Sequence, residues 1–508
     1  MTPAGHAKSL RSLIVAGFAW SIGTAVAMQL ARIGFAIALA RFLSPHEYGV
    51  AGMALVFSAL VLAFSDLGLG VGLVQRAHLT EEDRSTVFWT SVGVGLALTT
   101  AGVALSGPLA AFYGEPDVKP LFAVLSLSFV IGSLGATHAA LLHREMAFRA
   151  IGLRVGTSTL VGGAVGVGAA AAGLGPWALI VQALVIAVVS TGLLWLSLPW
   201  RPRLVFSRRS LADLGIFGGR VFGVRVLDYV RTNGDKLLVG RVLGSAPLGA
   251  YTVAFNILVM PLSRLLVAVQ DTLLPALSRL QEDRARLASV WLRVNTAVSA
   301  VVVPALLGLI VVAPDLVAVL LGERWRDVAL LLQLLAAGVV VLSVSLLGVQ
   351  VLTALDRTKQ LLRFSIAETV LLTAAVAAGL RWGVTGVATA YALASIPTRA
   401  YFAWLTTSAL EIPLSRFLRS LSGVAEASAA MLAAAVAARL LLVEAEAPAW
   451  VRLVAVIGVG FGVYAPLCLW RVRELRMELR RLSKRSAASD AQRGGSDWRA
   501  RTEEPQTS

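Results

Sequence analysis

Between Gly215 and Arg241 the sequence reads GIFGGRVFGVRVLDYVRTNGDKLLVGR, which sets Arg220, Arg225, Asp228, Arg231, Asn233, Asp235 and Lys236 in an otherwise apolar frame. Guanidinium groups stay charged at any physiological pH and present a planar fork that matches phosphate oxygens. At 100° per residue on a helix, Arg220 and Arg231 fall about 20° apart, and Asp228 and Asp235 fall about 20° apart on a neighbouring face. The spacing therefore predicts that these charges line one wet stripe. The competing structural account pairs each arginine with an aspartate between helices and leaves Arg220 to end a loop.

Further charges interrupt apolar runs at Arg32, Asp66, Arg264, Asp271, Glu368 and Arg399. Arg32 and Arg264 are placed to join the stripe across a central cavity, so the expected ligand-contacting set is Arg32, Arg220, Arg225, Arg231, Asn233 and Arg264. Asp228, Asp235 and Glu368 are candidates for coupling an ion or for orienting the arginines. Asp66 and Asp271 fall near helix ends, where headgroup-level salt bridges are expected, and Glu368 about one turn inside its helix, where snorkelling competes with ion binding. No catalytic residue, cofactor or metal is expected: Walker, nucleophile-elbow, zinc and soluble dinucleotide motifs are missing. The single cysteine, Cys468, rules out an intrachain disulfide, and His138 and His143 beside Arg144 read as a helix end rather than as metal ligands.

The elements that carry these charges must be membrane helices. Of 508 residues 57% are hydrophobic and 15% charged, against about 45–50% and about 25% in soluble domains. Uncharged runs such as 85–112, 155–198 and 328–355 exceed the ~20 residues needed to cross a bilayer. A cleaved signal peptide is rejected, because the first apolar stretch runs from Leu13 to about Ala40 and contains Arg32. An unpaired charge at mid-span costs about 2.5–3.5 kcal/mol, so the residues of the 215–241 stretch cannot face lipid and must line a wet or paired surface.

Division at charge and Pro/Gly clusters gives an all-α polytopic membrane protein of about fourteen spans. Among them are 12–39, 86–111, 119–141, 211–239, 249–275, 290–313, 328–352, 364–380, 385–408, 421–443 and 451–470. Twenty-nine basic residues fall on the side of the N-terminus and six on the other, so the net charge of +16 reflects loops held inside rather than nucleic acid. Both termini are therefore expected in the cytoplasm.

Self-comparison finds a repeat at an offset of about 200 residues. LARFLSPHEYGVAGM from Leu39 aligns with VGRVLGSAPLGAYTV from Val239, placing Arg41 over Arg241 and Gly49 over Gly249. Tyr113-GEPDVKPLFAVL aligns with Leu321-GERWRDVALLLQLL, and Ala170-AAGLG with Val376-AAGLRWG. Six helices per half imply parallel repeats about an axis along the membrane normal. The expected layout is an N-terminal six-helix lobe at 1–200, a C-terminal six-helix lobe at 201–410 and two additional helices at 411–470. A basic amphipathic helix at 471–485 and a disordered cytoplasmic tail at 486–508 follow. Glycines at 162–175, with Gly458 and Gly462, read as close helix-packing positions.

From Asn233, GDKLLVGRVLGSAPLGAYTVAFNILVMPLSR followed by LLPALSRLQED resembles the polysaccharide transporter (oligosaccharide and O-antigen flippase) family of the multidrug/oligosaccharidyl-lipid/polysaccharide exporter superfamily. ARFLSPHEYGVAGMALVFSALVLAFSDLGLGVGLVQR in the first half is similar to the same family's second-helix region. The resemblance covers residues 10 to about 410. It implies twelve to fourteen helices in two lobes and transfer of undecaprenyl-pyrophosphate-linked oligosaccharide repeat units to the outer leaflet for exopolysaccharide or lipopolysaccharide assembly, without enzyme activity. Implied partners are that lipid-linked oligosaccharide, membrane lipids, a polysaccharide polymerase and a chain-length regulator.

Charge logic agrees with that implication. Moving a diphosphate outward from a negative cytoplasm gains about 4.6 kcal/mol per 100 mV, at about 2.3 per charge. A lipid II flippase for peptidoglycan satisfies the same logic. A cation-coupled drug exporter of the superfamily would carry acids in place of the arginines. A membrane glycosyltransferase or ligase would need a large outer loop with catalytic carboxylates, whereas the longest outer loop expected, Pro314–Asp327, is short.

Overall fold

The computed structural model describes residues 28–65, 69–76, 78–211, 229, 232–343, 345 and 347–472, and every regular element among them is helical. The first half comprises α1 (28–42), α2 (Pro45–Ser65), α3 (Leu69–Gln75), α4 (Glu81–Tyr113), α5 (Val118–Leu125), α6 (Leu127–Arg144), α7 (Phe148–Ala171) and α8 (Trp177–Ser197). There follow α9 (232–243), α10 (Ser245–Ser278), α11 (Arg284–Leu320), α12 (Asp327–Ser343), α13 (Gly348–Ala354), α14 (Thr358–Gly379) and α15 (Gly383–Ala409). The last helices are α16 (Leu414–Glu444) and α17 (Ala449–Arg471). Nine stretches among the described residues are long and apolar enough to cross a membrane, and the protein is an all-α polytopic membrane protein. The predicted spans at 12–39 and 211–239 lie partly outside the described residues, as do the amphipathic segment and tail after residue 472.

The helices overrun their predicted ends for local reasons. Ahead of α4, Thr80 Oγ1 accepts from the Asp83 N–H and the Asp83 carboxylate accepts from the Thr80 N–H, both at 3.1 Å, closing a capping box that starts the helix at Glu81. Asp83 also pairs with Arg76 at 3.0 Å. At the far end Gly114 takes the left-handed helical conformation, with φ of 69°, and stops α4, and its repeat counterpart Gly322, also at positive φ (89°), follows α11.

α11 runs through both Pro304 and Pro314. Proline supplies no N–H to the carbonyl four residues back, so the Ala300 and Ile310 carbonyls lose their helical donors. Tyr464 Oη donates to Ala300 O at 2.6 Å and Gln333 Nε2 donates to Ile310 O at 2.8 Å. Side chains of α17 and α12 thus replace both missing donors, and the helix continues to Leu320. The outer loop expected from Pro314 shrinks to residues 321–326, with a single 3-10 turn at Glu323–Trp325.

The chain packs as two units. The first holds Met1–Pro261, Val317–Leu332 and Thr369–Tyr391. Its core includes Leu39, Leu43, Ala51, Ala170 and Leu179 in one cluster and Leu141, Leu142, Leu194 and Leu198 in another. α7 and α8 approach closely because a methyl group built on Gly162 or Gly166 would run into Ile186 or Gln182.

Positions paired by the internal repeat meet within this unit. A methyl group on Gly49 would strike the Ser245 carbonyl, and one on Gly249 the Pro45 carbonyl, so the first turns of α2 and α10 cross reciprocally at the two glycines. Arg41 donates to the carbonyls of Val319 (2.5 Å) and Leu320 (2.8 Å) at the end of α11, while Arg241 lies over the Phe112 ring at the end of α4. Trp325 Nε1 donates to Ala40 O at 2.7 Å. Each repeat therefore reaches a helix end of the other, through hydrogen bonds from Arg41 and a cation–π contact from Arg241.

The second unit holds Leu262–Leu316, Gln333–Glu368 and Ala392–Ser508. Ala300, Val424, Ala427 and Cys468 form one of its cores, and Val311, Val312, Ala435 and Val456 continue it. Asp315, with a side chain only 2% exposed, bonds Arg439 Nε of α16 at 2.8 Å and Arg452 Nε of α17 at 2.7 Å. Those two arginines fasten α16 and α17 to α11. Gly458 and Gly462 face open space, unlike their sequence reading; Gly460 lies closest to a neighbour, Met431.

Candidate functional site

The described part of the arginine-bearing helix is α9, preceded by Tyr229. Tyr229 is buried and its hydroxyl donates to Val56 O at 2.8 Å, which fixes the approach to α9 against α2. Asn233 Nδ2 donates to Tyr229 O at 3.3 Å. Two residues on, the Asp235 carboxylate accepts from Tyr251 Oη of α10 at 2.7 Å and from the Lys236 N–H at 2.8 Å. The Lys236 ammonium sits over the Phe255 ring, 5.1 Å from its centroid, and Phe255 stacks on Tyr251 at 6.2 Å.

This patch sets a fixed carboxylate and a cation side by side on α9, both braced by α10. The ring face occupies one side of the ammonium. Tyr251 and Lys236 were not assigned a role from sequence, although Lys236 lay inside the segment that stood out. Tyr251 carried no signal there, because a tyrosine in an apolar run is ordinary.

Arg32 lies on α1 in the same unit, half-buried and engaged in interactions of its own. Arg264 and Asp271 belong to α10 beyond Pro261, in the second unit. Arg220, Arg225, Asp228, Arg231 and Asp66 lie outside the described residues.

Glu368 departs from its sequence reading. α14 begins at Thr358, so Glu368 is ten residues into the helix rather than one turn. Its carboxylate bonds the Arg399 guanidinium of α15, with side chains 10% and 15% exposed. The guanidinium also lies 5.9 Å from the Phe364 ring centroid and 5.5 Å from that of Phe402. Glu368 is thus buried in a pair rather than snorkelling, and Asn233 and Asp235 are the predicted site residues seen sharing one helix. The pairing of Asp315 with Arg439 and Arg452 is not legible in the sequence, where Pro314 reads as a helix end.

A family model described as "Polysaccharide biosynthesis protein" matches residues 38–330, more than half of the chain. The chain belongs to this polysaccharide transporter family. It is 30% identical over 396 residues to the lipopolysaccharide biosynthesis protein WzxC of Escherichia coli (strain K12), covering 76% of this chain and 80% of that one. It is 27% identical over 486 residues to the succinoglycan biosynthesis transport protein ExoT of Rhizobium meliloti (strain 1021), covering 95% and 96%. Among solved structures, the lipid II flippase MurJ in an inward closed conformation superposes with a TM-score of 0.70 at 14% identity, covering 90% of this chain and 99% of that one. An inward-facing multidrug resistance MATE family transporter of the MOP superfamily reaches 0.62 at 15% identity, covering 76% and 95%. At such identities these two likenesses concern the fold.

Proposed function

We propose that this member of the polysaccharide transporter family moves undecaprenyl-pyrophosphate-linked oligosaccharide repeat units from the cytoplasmic to the outer leaflet of the bacterial inner membrane. The units serve exopolysaccharide or lipopolysaccharide assembly, beside a polymerase and a chain-length regulator. The observation that carries the reading is the family match over 38–330 together with the arginine content of residues 215–241. Arg32, Arg220, Arg225, Arg231, Asn233 and Arg264 are the proposed cavity contacts, the guanidinium forks taking the pyrophosphate oxygens and Asn233 a sugar hydroxyl. Asp228 and Asp235 orient the arginines or couple a cation. The protein works by alternating access with both termini in the cytoplasm.

The test is the triple substitution Arg220→Ala, Arg225→Ala, Arg231→Ala, assayed for lipid-linked oligosaccharide retained in the cytoplasmic leaflet and normalised to protein level. Flipping should be lost with abundance unchanged, and Arg→Lys at the same sites should keep part of it, since charge remains without the fork. Normal flipping in the triple alanine variant would refute the anion cavity. A fall in abundance that Asp228→Asn and Asp235→Asn restore would make the arginines salt-bridge partners instead.

A further inference from the structure

After α8 the chain crosses the start of α4 as an extended strap fastened through its backbone. The Arg203 N–H donates to Ser85 Oγ at 3.1 Å, the Arg203 carbonyl accepts from Trp89 Nε1 at 2.8 Å, and the Ser207 N–H donates to Thr86 Oγ1 at 2.9 Å. Trp200 Nε1 adds a bond to the Glu81 carboxylate at 2.8 Å. Held at 203 and 207, the residues between them arch outward. Leu204 is 90% exposed and Phe206 53%, with Leu196 at the end of α8 82% exposed.

Arginines surround this apolar tip. Arg201, Arg203, Arg208 and Arg209 are all exposed, and no acid occurs from Leu198 to Ala212. Of the three acids in the first turn of α4, Glu81 is engaged by Trp200 and Asp83 by Arg76, while Glu82 is exposed. A loop in water has no reason to display three successive apolar side chains on a backbone held this firmly. Apolar groups flanked closely by guanidinium groups suit the boundary where acyl chains meet headgroups, the tip entering the acyl region while the arginines stay at phosphate level.

We propose that residues 196–209 form a membrane-surface anchor for anionic phospholipid. Leu196, Leu204 and Phe206 embed in the leaflet at this end of the first unit, and Arg203, Arg208 and Arg209 bind lipid phosphates, Arg201 adding its charge while its guanidinium is held by the Leu198 and Trp200 carbonyls and over the Trp195 ring. The lipid held here is a resident, distinct from any lipid being moved, and it fixes the depth of the α4 start. Each basic residue near an anionic surface raises association about fivefold, so four arginines give a large preference for anionic over zwitterionic lipid.

Cys468 is the single cysteine of the chain and is buried, which leaves the surface open to specific labelling. In the full-length Cys468→Ser protein, a nitroxide is attached at Leu204→Cys, at Phe206→Cys, or at His78→Cys, an exposed position just ahead of α4. The protein is reconstituted in phosphatidylcholine bilayers with and without phosphatidylglycerol, and collisions with oxygen and with a water-soluble nickel chelate are measured. The labels at 204 and 206 should favour oxygen and the label at 78 should favour nickel. Spin-labelled phosphatidylglycerol should associate several-fold more strongly than spin-labelled phosphatidylcholine, and the combined Arg201→Gln, Arg203→Gln, Arg208→Gln, Arg209→Gln variant should bring that ratio close to one. Nickel access at 204 and 206 equal to that at 78 would overturn the anchor, as would an unchanged lipid ratio in the variant or shielding that appears only when a protein partner is added. None of these readouts needs transport, so loss of the flippase reading would leave them intact.

Discussion

Glu368 and Arg399 answer each other's charge far from either end of α14 and α15. Removing one partner strands the other in an apolar setting, which costs about 3–5 kcal/mol, whereas removing both leaves only a polar pair. Glu368→Gln and Arg399→Gln should each lower thermal stability in detergent and abundance in the membrane, and the double variant should recover most of the loss. Independent, additive losses would mean that the pair does not act as a unit. At this scale the sequence was legible where charges crowd into one segment and opaque where they meet across the fold. Asp235 stood out through its neighbours on α9, but the hydroxyl it binds, on Tyr251, comes from another helix. Arginine type alone does not signal a ligand either: Arg41 and Arg144 spend their guanidinium groups on backbone carbonyls, Arg144 on those of Leu73 and Arg76.

At the scale of helices, α11 depends on donors that its own backbone lacks. Tyr464→Phe should destabilise the protein by about 1–2 kcal/mol by stranding the Ala300 carbonyl, and Gln333→Leu should do the same through Ile310. In a Pro304→Ala background the new N–H supplies the missing bond, so Tyr464→Phe should then be nearly silent. Thermal unfolding of the four chains in that cycle measures the coupling, and equal effects of Tyr464→Phe with and without Pro304 would refute it. Existence and order of the helices could be read from apolar runs, because the bilayer imposes their length. Their ends could not, since Pro314 breaks a helix only when no neighbour replaces its N–H, and that neighbour lies 19 residues on in sequence, at Gln333. The apolar run resuming after Asp315, LVAVLL, was the available hint.

At the scale of the whole chain, the sidedness inferred from 29 against six basic residues makes a direct prediction. Reporter fusions after Glu115, Gly322 and Glu446 should read as external, and fusions after Arg84, Arg208 and Arg284 as cytoplasmic; reversal at any two sites would refute the topology. The repeat was legible as three weak blocks in one order, and its physical content emerged only in space, where Gly49 and Gly249 touch reciprocally and the arginines 200 residues apart each reach a helix end in the other half. That exchange has a consequence for biogenesis. The bonds from Arg41 to the α11 carbonyls span up to 279 residues of chain. At about 5–20 residues per second of synthesis, the first half waits on the order of tens of seconds for the groups that complete it. A nascent chain stalled before Leu320 would hold an uncapped guanidinium at the end of its first helix, an unfinished surface by which quality control can tell an incomplete transporter from a complete one.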